Sequence, residues 1–386
     1  MTAMPPWAEA ASALADEVAV DAPDWHEAVS STPRHLLAPR WWRRVANSLL
    51  REWELVDLAE GSPERLRAAY SDETLVTRVG PLHADHAKAD ERGTGDPTSS
   101  STLPGLVVSM AERLGVEPGD RVLDVGTGSG YSAALFGYRF GDENVTSVDV
   151  DPYLVGAARD RLAGFGREPG MEAVDATGEL PGAAYDRIMA TVSVRPVPAS
   201  WLRALRPGGR LVTTVAGTDL LIAADMGEDG IARGAVQSEP ATFMEARREG
   251  EADYPPEFDE VFVAARVREG DDVRSPYGPI PDLWQEWPLR YLFELDTPGV
   301  ETRAAVYDDG RRVVWLLAAD GSWARAEGGP RPLIHQGGPR RLWDALDDVS
   351  RQWEERGRFP LRAMRAELGA EGSTLYAPGK SWSFAL

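Results

Sequence analysis

The run Val122-Leu123-Asp124-Val125-Gly126-Thr127-Gly128-Ser129-Gly130-Tyr131 sets three glycines between an apolar strand and the start of a helix. Glycine lets a backbone approach a ligand closely, and the first amides of a helix have no partner inside it. Such amides suit the carboxylate of an amino-acid moiety as well as they suit a phosphate. The loop alone is ambiguous, because Gly128-x-Gly130-x-x-Ala133 fits the dinucleotide fingerprint. Asp124 argues against that fingerprint: it stands two residues before the first glycine, where an apolar residue is usual. Val148-Asp149-Val150-Asp151-Pro152 ends the next strand with an acid suited to ribose hydroxyls. A second candidate region is the hydroxyl run Thr98-Ser99-Ser100-Ser101-Thr102 before Pro104.

These residues need a frame. Short apolar stretches at Arg121–Val125, Val145–Val150, Met171–Val174, Tyr185–Ala190 and Arg210–Val215 read as strands. Between them, Tyr131–Phe140, Pro152–Phe165 and Trp201–Leu205 read as helices, and another opens at Pro104 with Leu106, Val107, Met110 and Leu114 on one face. The alternation predicts an α/β fold with a mainly parallel sheet covered on both faces. Upstream, residues 5–60 carry apolar positions at helical spacing, with Trp41, Val45, Leu49 and Leu50 in one stripe, and residues 80–101 read as a polar loop. Downstream, Leu220–Ala224, Ala232–Val236 and Val261–Val267 read as strands and 268–282 as a linker. The last hundred residues hold a hairpin around Asp308-Asp309-Gly310, a helix over Arg341–Arg356 and a final hairpin. The expected organisation is a helical cap with a substrate-side loop over 1–97, a cofactor-binding core over 98–267 and an α+β unit over 283–386.

The order and spacing of Asp124–Tyr131, Asp149-Val150 and Leu205-Arg206-Pro207-Gly208-Gly209-Arg210-Leu211-Val212 resemble class I S-adenosylmethionine-dependent methyltransferases of Rossmann-like fold. The resemblance implies that Asp124, Gly126, Thr127, Gly128, Gly130 and Tyr131 hold the methionine part. Asp149 and Val150 would take the ribose, and Asp175-Ala176 the adenine. S-adenosylhomocysteine would be the product. From Trp25 to Val215 the chain resembles the protein L-isoaspartate O-methyltransferase family. The match lies in Thr32-Pro33-Arg34-His35-Leu36-Leu37-Ala38-Pro39, Ala69–Leu75, Thr98–Pro104 and Ala190-Thr191-Val192-Ser193. The family carries Gln-Thr-x-Ser-x-Pro; counted from Pro104, its serine falls on Thr102, and its glutamine and threonine on Ser99 and Ser100. This implies catalytic roles for Thr102 and Ser101, and a substrate-binding face of Ser99, Ser100, His35, Ser193 and Arg195. The Thr98–Ser101 run, the tryptophan-rich extension and the length resemble relatives encoded with ribosomally made peptides such as graspetides, lanthipeptides and lasso peptides. That subgroup implies methylation of an aspartate carboxylate in a modified precursor peptide, the ester then closing to an aspartimide. General isoaspartyl repair and a non-catalytic cofactor-binding adaptor are the alternatives.

A carboxylate, with a pKa near ~4, is already a nucleophile at neutral pH. The chemistry needs no general base; it needs in-line placement, worth up to roughly 7–11 kcal/mol of barrier. A net charge of −21 over 386 residues gives no basic footprint, so a nucleic-acid partner is not expected and a transfer-RNA methyltransferase is disfavoured. The strip Arg34, Arg40, Arg43, Arg44 and Arg51 reads as a solvated helix face. With no cysteine, thiolate catalysis and cysteine zinc sites are excluded. His83-x-Asp85-His86 reads as a solvated loop, with no metal expected. Met1–Val20 lacks the apolar run of a signal peptide, and no run approaches a membrane span. A cytoplasmic protein with no membrane partner is therefore expected; the sequence leaves the oligomeric state open.

Overall fold

The computed structural model describes residues 5–46, 51–180, 184–248 and 258–386. Val122–Val125 is buried at every position, as a strand covered on both faces must be. It lies inside a ten-stranded sheet. Val145–Asp149 and Gly170–Ala173 run parallel on one side, and Tyr185–Val194 and Leu205–Val215 on the other. The chain moves outward one way from Val122–Val125, then returns to build the other half. That reversal opens a crevice at the carboxyl ends of the strands, where open α/β sheets bind ligands. Asp124 stands in register with Ser147 on one neighbour and Met189 on the other.

Leu220–Met226 and Ala232–Pro240 add an antiparallel hairpin, as expected. The sheet then continues through the end of the chain. Arg365–Gly369 pairs with Ala232–Ala235, followed by Gly372–Tyr376 and Ser383–Ala385. The final hairpin therefore belongs to the core sheet, and the expected unit over 283–386 is only partly separate. Met364, Leu368, Leu375 and Phe384 are buried in one cluster with Trp201, Leu211 and Leu220.

The first hundred residues depart from the helical cap. Helices at Ala8–Val18, His26–Ser31 and Arg34–Leu37 lead into a six-stranded sheet of Trp41–Arg44, Glu52–Val56, Leu75–Val79, Leu82–His83, Arg92–Thr94 and Pro97–Ser101, with the helix Pro63–Ala69 between. Trp41 packs on Val56 and Leu75, whereas Trp42 packs on Trp53, Val76 and Val79. Adjacent residues bury on opposite faces only with a period of two, so a strand wins over the helical stripe. Leu49 and Leu50 lie outside the described residues. The expected polar loop over 80–101 contains three strands, and the boundary at 98 falls within one of them.

In the C-terminal unit a five-stranded sheet runs in the order Asp272–Arg274, Leu333–Gly337, Trp323–Glu327, Arg312–Ala318, Val300–Val306. Strand Asp272–Arg274 lies inside the expected linker. Val314 and Leu316 face the helix Leu342–Glu355, with Trp343 and Leu346 in the same core. Val313, Trp315 and Leu317 face the helix Asp259–Val267. That helix replaces the expected strand Val261–Val267: Val261, Phe262 and Ala265 share one face over the sheet, and Val263 and Val267 are exposed.

If the last strands are part of the core, Leu368→Ala should cost about 2–5 kcal/mol, as a fully buried leucine does. Thermal unfolding should show one transition shifted downward. An unchanged main transition would show the C-terminal strands to be an independent appendage.

Candidate active site

Asp124 is fully buried. Its Oδ2 accepts from Ser132 Oγ at 2.9 Å and from Ser147 Oγ at 2.7 Å. Its Oδ1 is buried without a hydrogen-bond partner. Burial pushes the carboxyl up to about 7, against the lowering effect of the two serine hydroxyls. Thr127 Oγ1 shares a 2.8 Å hydrogen bond with Ser147 Oγ, so strand, loop and neighbouring strand meet at one serine.

The loop above tolerates only glycine at two points. Gly126 has φ +95°, and a Cβ there would lie 2.9 Å from Thr191 Oγ1. Gly128 has φ +49°, and its Cβ would lie 2.9 Å from the Ser100 carbonyl. The Gly126 and Thr127 amides turn back to the Val148 carbonyl. Gly128 N–H donates to Asp149 Oδ2 at 3.0 Å and Asp151 N–H to Asp149 Oδ1 at 3.1 Å. Burial raises the Asp149 carboxyl above the usual carboxylate range despite these bonds.

A cavity forms over this loop. Gly126, Gly128, Asp149, Val150 and Ala176 line it from the core, and Ser99, Ser100 and Thr102 from the last strand of the N-terminal sheet. Eight of the expected site residues thus meet. Asp124, Thr127, Gly130 and Tyr131 lie beneath the loop and shape it. Tyr131 is buried, its hydroxyl without a partner, with the Arg34 guanidinium 5.6 Å from its ring centroid. Asp175 Oδ1 accepts from the Thr177 N–H at 2.8 Å and its hydroxyl at 2.6 Å; this turn presents Ala176 and Thr177 to the cavity. Trp201 Nε1 fixes the turn by donating to the Ala176 carbonyl at 2.6 Å. The glycine cradle, the orphan Asp124 Oδ1 and Asp149 at the strand end fit an aminoacyl nucleoside such as S-adenosylmethionine.

Other expected site residues stand elsewhere. Ser101 turns away from the cavity: its Oγ and its carbonyl both accept from Arg34. His35 is buried with its Nδ1 2.7 Å from the Tyr70 hydroxyl and its ring against Trp7, away from the cavity. Burial lowers its pKa. Ser193 donates to the Phe243 carbonyl at 3.2 Å. Arg195 lines a second, larger cleft, where its guanidinium donates to the carbonyls of Glu294, Leu295 and Ala385.

Three features escape sequence reasoning. Arg34 is no solvated residue: it is fully buried and donates to the carbonyls of Ala69, Ser71, Glu73, Ser101 and Thr102. Those bonds fix the backbone at Thr102. Met244–Arg247 closes the cavity's far wall, tied down by Ser193 N–H to the Met244 carbonyl and Ala246 N–H to the Ser193 carbonyl, both 2.8 Å. Its charged, aperiodic sequence gives no signal. His83 is buried rather than solvated, its pKa lowered to about 4 by burial, against Tyr153.

Asp124 also sets a pH dependence. Its folded pKa stands above its unfolded value, so the stability tied to its protonated form is present below about pH 4 and is lost as pH rises through about 7. Thermal melts of the ligand-free protein should show Asp124→Asn gaining on wild type between about pH 5 and about pH 8, by about 1–3 kcal/mol. A constant difference across that range would contradict a neutralised Asp124.

Residues 86–237 match the family model described as Protein-L-isoaspartate(D-aspartate) O-methyltransferase (PCMT). The protein-L-isoaspartate O-methyltransferase of Methanopyrus kandleri is 37% identical over 177 residues, 45% of this chain and 69% of that one. The Ignicoccus hospitalis protein of the same name is 36% identical over 126 residues, 32% of this chain and 58% of that one. A solved structure titled protein-L-isoaspartate O-methyltransferase superposes on 96% of this chain and 99% of its own, with a TM-score of 0.53 at 18% identity. That likeness concerns the fold, and its extent takes in the C-terminal unit, so the extension does not set this chain apart. Sequence, fold and loop geometry agree: the chain belongs to the protein-L-isoaspartate O-methyltransferase family and is an S-adenosylmethionine-dependent carboxyl O-methyltransferase.

Proposed function

We propose that this enzyme methylates the carboxylate of an altered aspartyl residue, isoaspartyl first, within a polypeptide held between the N-terminal sheet and the C-terminal unit. The observation that supports this is the adjacency of two cavities. The cavity over the glycine loop adjoins a cleft of about 850 Å³, and Glu245 lines both. The cleft takes walls from Thr94–Asp96, from Ala216–Asp219 and from Pro298–Arg303. It has room for a chain segment flanking the acceptor rather than for a small metabolite alone.

When bound, S-adenosylmethionine supplies an electrophilic methyl group on its sulfonium. Gly126 and Gly128 would leave room for its amino-acid part, Asp149 and Val150 would hold the ribose, and Ala176 would border the base. The Thr102 hydroxyl donates to one oxygen of the acceptor carboxylate, leaving the other free to face the methyl group. Arg34 holds the Thr102 backbone while this happens. The carboxylate attacks already ionised, so no side chain has to remove a proton.

A narrower reading is maturation of a modified ribosomal peptide. There an aspartate methyl ester is displaced by the next backbone nitrogen, which loses its proton as methanol leaves, giving an aspartimide. One feature favours it: threonine rather than serine at 102, within the hydroxyl run from Thr98. Mass spectrometry with S-adenosylmethionine separates the two. Gain of one methyl group on a linear isoaspartyl peptide supports broad isoaspartyl methylation. Methylation of a cyclised acid-rich precursor alone, followed by loss of methanol, supports maturation.

Thr102→Ala should lower kcat about ten- to a hundredfold, the worth of one hydrogen bond to a charged group, with Thr102→Ser close to wild type. Cofactor affinity, measured by calorimetry, should change less than about twofold. An unchanged kcat would remove Thr102 from the mechanism.

A further inference from the structure

We propose that the edge strand Val300–Val306 of the C-terminal sheet binds the substrate polypeptide as an added β-strand, so that the acceptor is presented in extended form and gripped by its main chain. The inference rests on the proposed function, and names how that site selects its substrate.

The topology motivates it. Val300–Val306 is last in its sheet and, among the described residues, pairs only with Arg312–Ala318. One side of its backbone therefore carries alternate N–H and C=O groups with no strand of the described residues beside them. Natural proteins blunt such edges with prolines, bulges or short strands. This edge is seven residues long, paired without a register break, and contains no proline. Its first half does not face open solvent: Val300–Arg303 form a wall of the 850 Å³ cleft. The same cleft is lined by Thr94–Asp96, at the end of Arg92–Thr94, itself an edge strand of the N-terminal sheet. Two sheet edges thus border one cleft, which adjoins the transfer cavity.

The side chains on this edge have little left to offer a ligand. Glu301 accepts from Arg51 at 2.8 Å and from Arg303 at 2.6 Å, and Arg303 also pairs with Asp259 at 2.7 Å. These ion pairs tie the N-terminal sheet, the edge strand and the helix Asp259–Val267 together, which keeps the edge in place. Thr302 Oγ1 is buried without a partner beside them. What the strand presents is main chain, and main-chain pairing accepts many sequences while requiring an extended one. The substrate polypeptide, rather than a second copy of this chain, is the fitting occupant, because the edge lies within a cleft that adjoins the methyl-transfer cavity.

A strand added to an edge bonds through every second residue, so recognition should have a period of two. The test is a set of isoaspartyl peptides, each N-methylated at one backbone amide, with KM measured on the wild-type enzyme. KM should rise about tenfold at alternate positions on one side of the acceptor and change little between them. Hydrogen exchange with S-adenosylhomocysteine and the parent peptide should slow at the amides of Val300–Arg303. A parent peptide that is methylated while the scan is flat, or while protection falls only on residues 92–96, overturns strand addition and leaves the proposed function standing. A parent peptide neither bound nor methylated overturns both.

Discussion

A carboxylate sealed from water organises this enzyme. Asp124 sits at the end of a buried strand, and a group so placed must be hydrogen-bonded or neutral. Ser132 from the following helix and Ser147 from the neighbouring strand satisfy one oxygen. Three elements are thereby fixed at one point, and the glycine loop is held between them with its Gly126 and Thr127 amides on the Val148 carbonyl and its Gly128 amide on Asp149. The other oxygen has no partner. Burial, which pushes the carboxyl up to about 7, favours the protonated form that leaves this oxygen uncharged.

The second constraint concerns the carbonyls around Thr102. Arg34 brings a buried guanidinium to five backbone carbonyls, two of them at Ser101 and Thr102. A cation whose hydrogen bonds go mainly to carbonyls is costly to bury, and its pKa falls to about 10 through desolvation, against the raising effect of Asp72 and Glu73 nearby. The return is a rigid edge to the transfer cavity, made by the sheet that also borders the substrate cleft. On the far side, the last strands of the chain re-enter the core sheet. The C-terminal unit is thus tied to the core by the strands that follow it.

Much of the core was legible because its signals are local. Glycines at Gly126, Gly128 and Gly130 announce a tight loop, acids at Asp124 and Asp149 mark strand ends, and Asp308-Asp309-Gly310 marks a hairpin turn. The rest depended on distance along the chain. Nothing in Arg365–Gly369 says that its partner is Ala232–Ala235, over a hundred residues earlier. Trp41 fits a helical stripe with Val45, Leu49 and Leu50, yet it and its neighbour Trp42 are both buried, in different clusters. Arg34 resembled a surface arginine because its acceptors are carbonyls, which composition does not record. Ser101 and Thr102 are neighbours of similar chemistry; only the position of Arg34 decides which one faces the cavity.

The most direct measurement is a crystal structure of the enzyme with S-adenosylhomocysteine and an isoaspartyl peptide. The account predicts the ribose at Asp149, the homocysteine part on Gly126 and Gly128, and the acceptor carboxylate within hydrogen-bond reach of the Thr102 hydroxyl. Its flanking chain should run into the cleft beside Val300–Arg303. A carboxylate held by other residues, with Thr102 turned away, would contradict it.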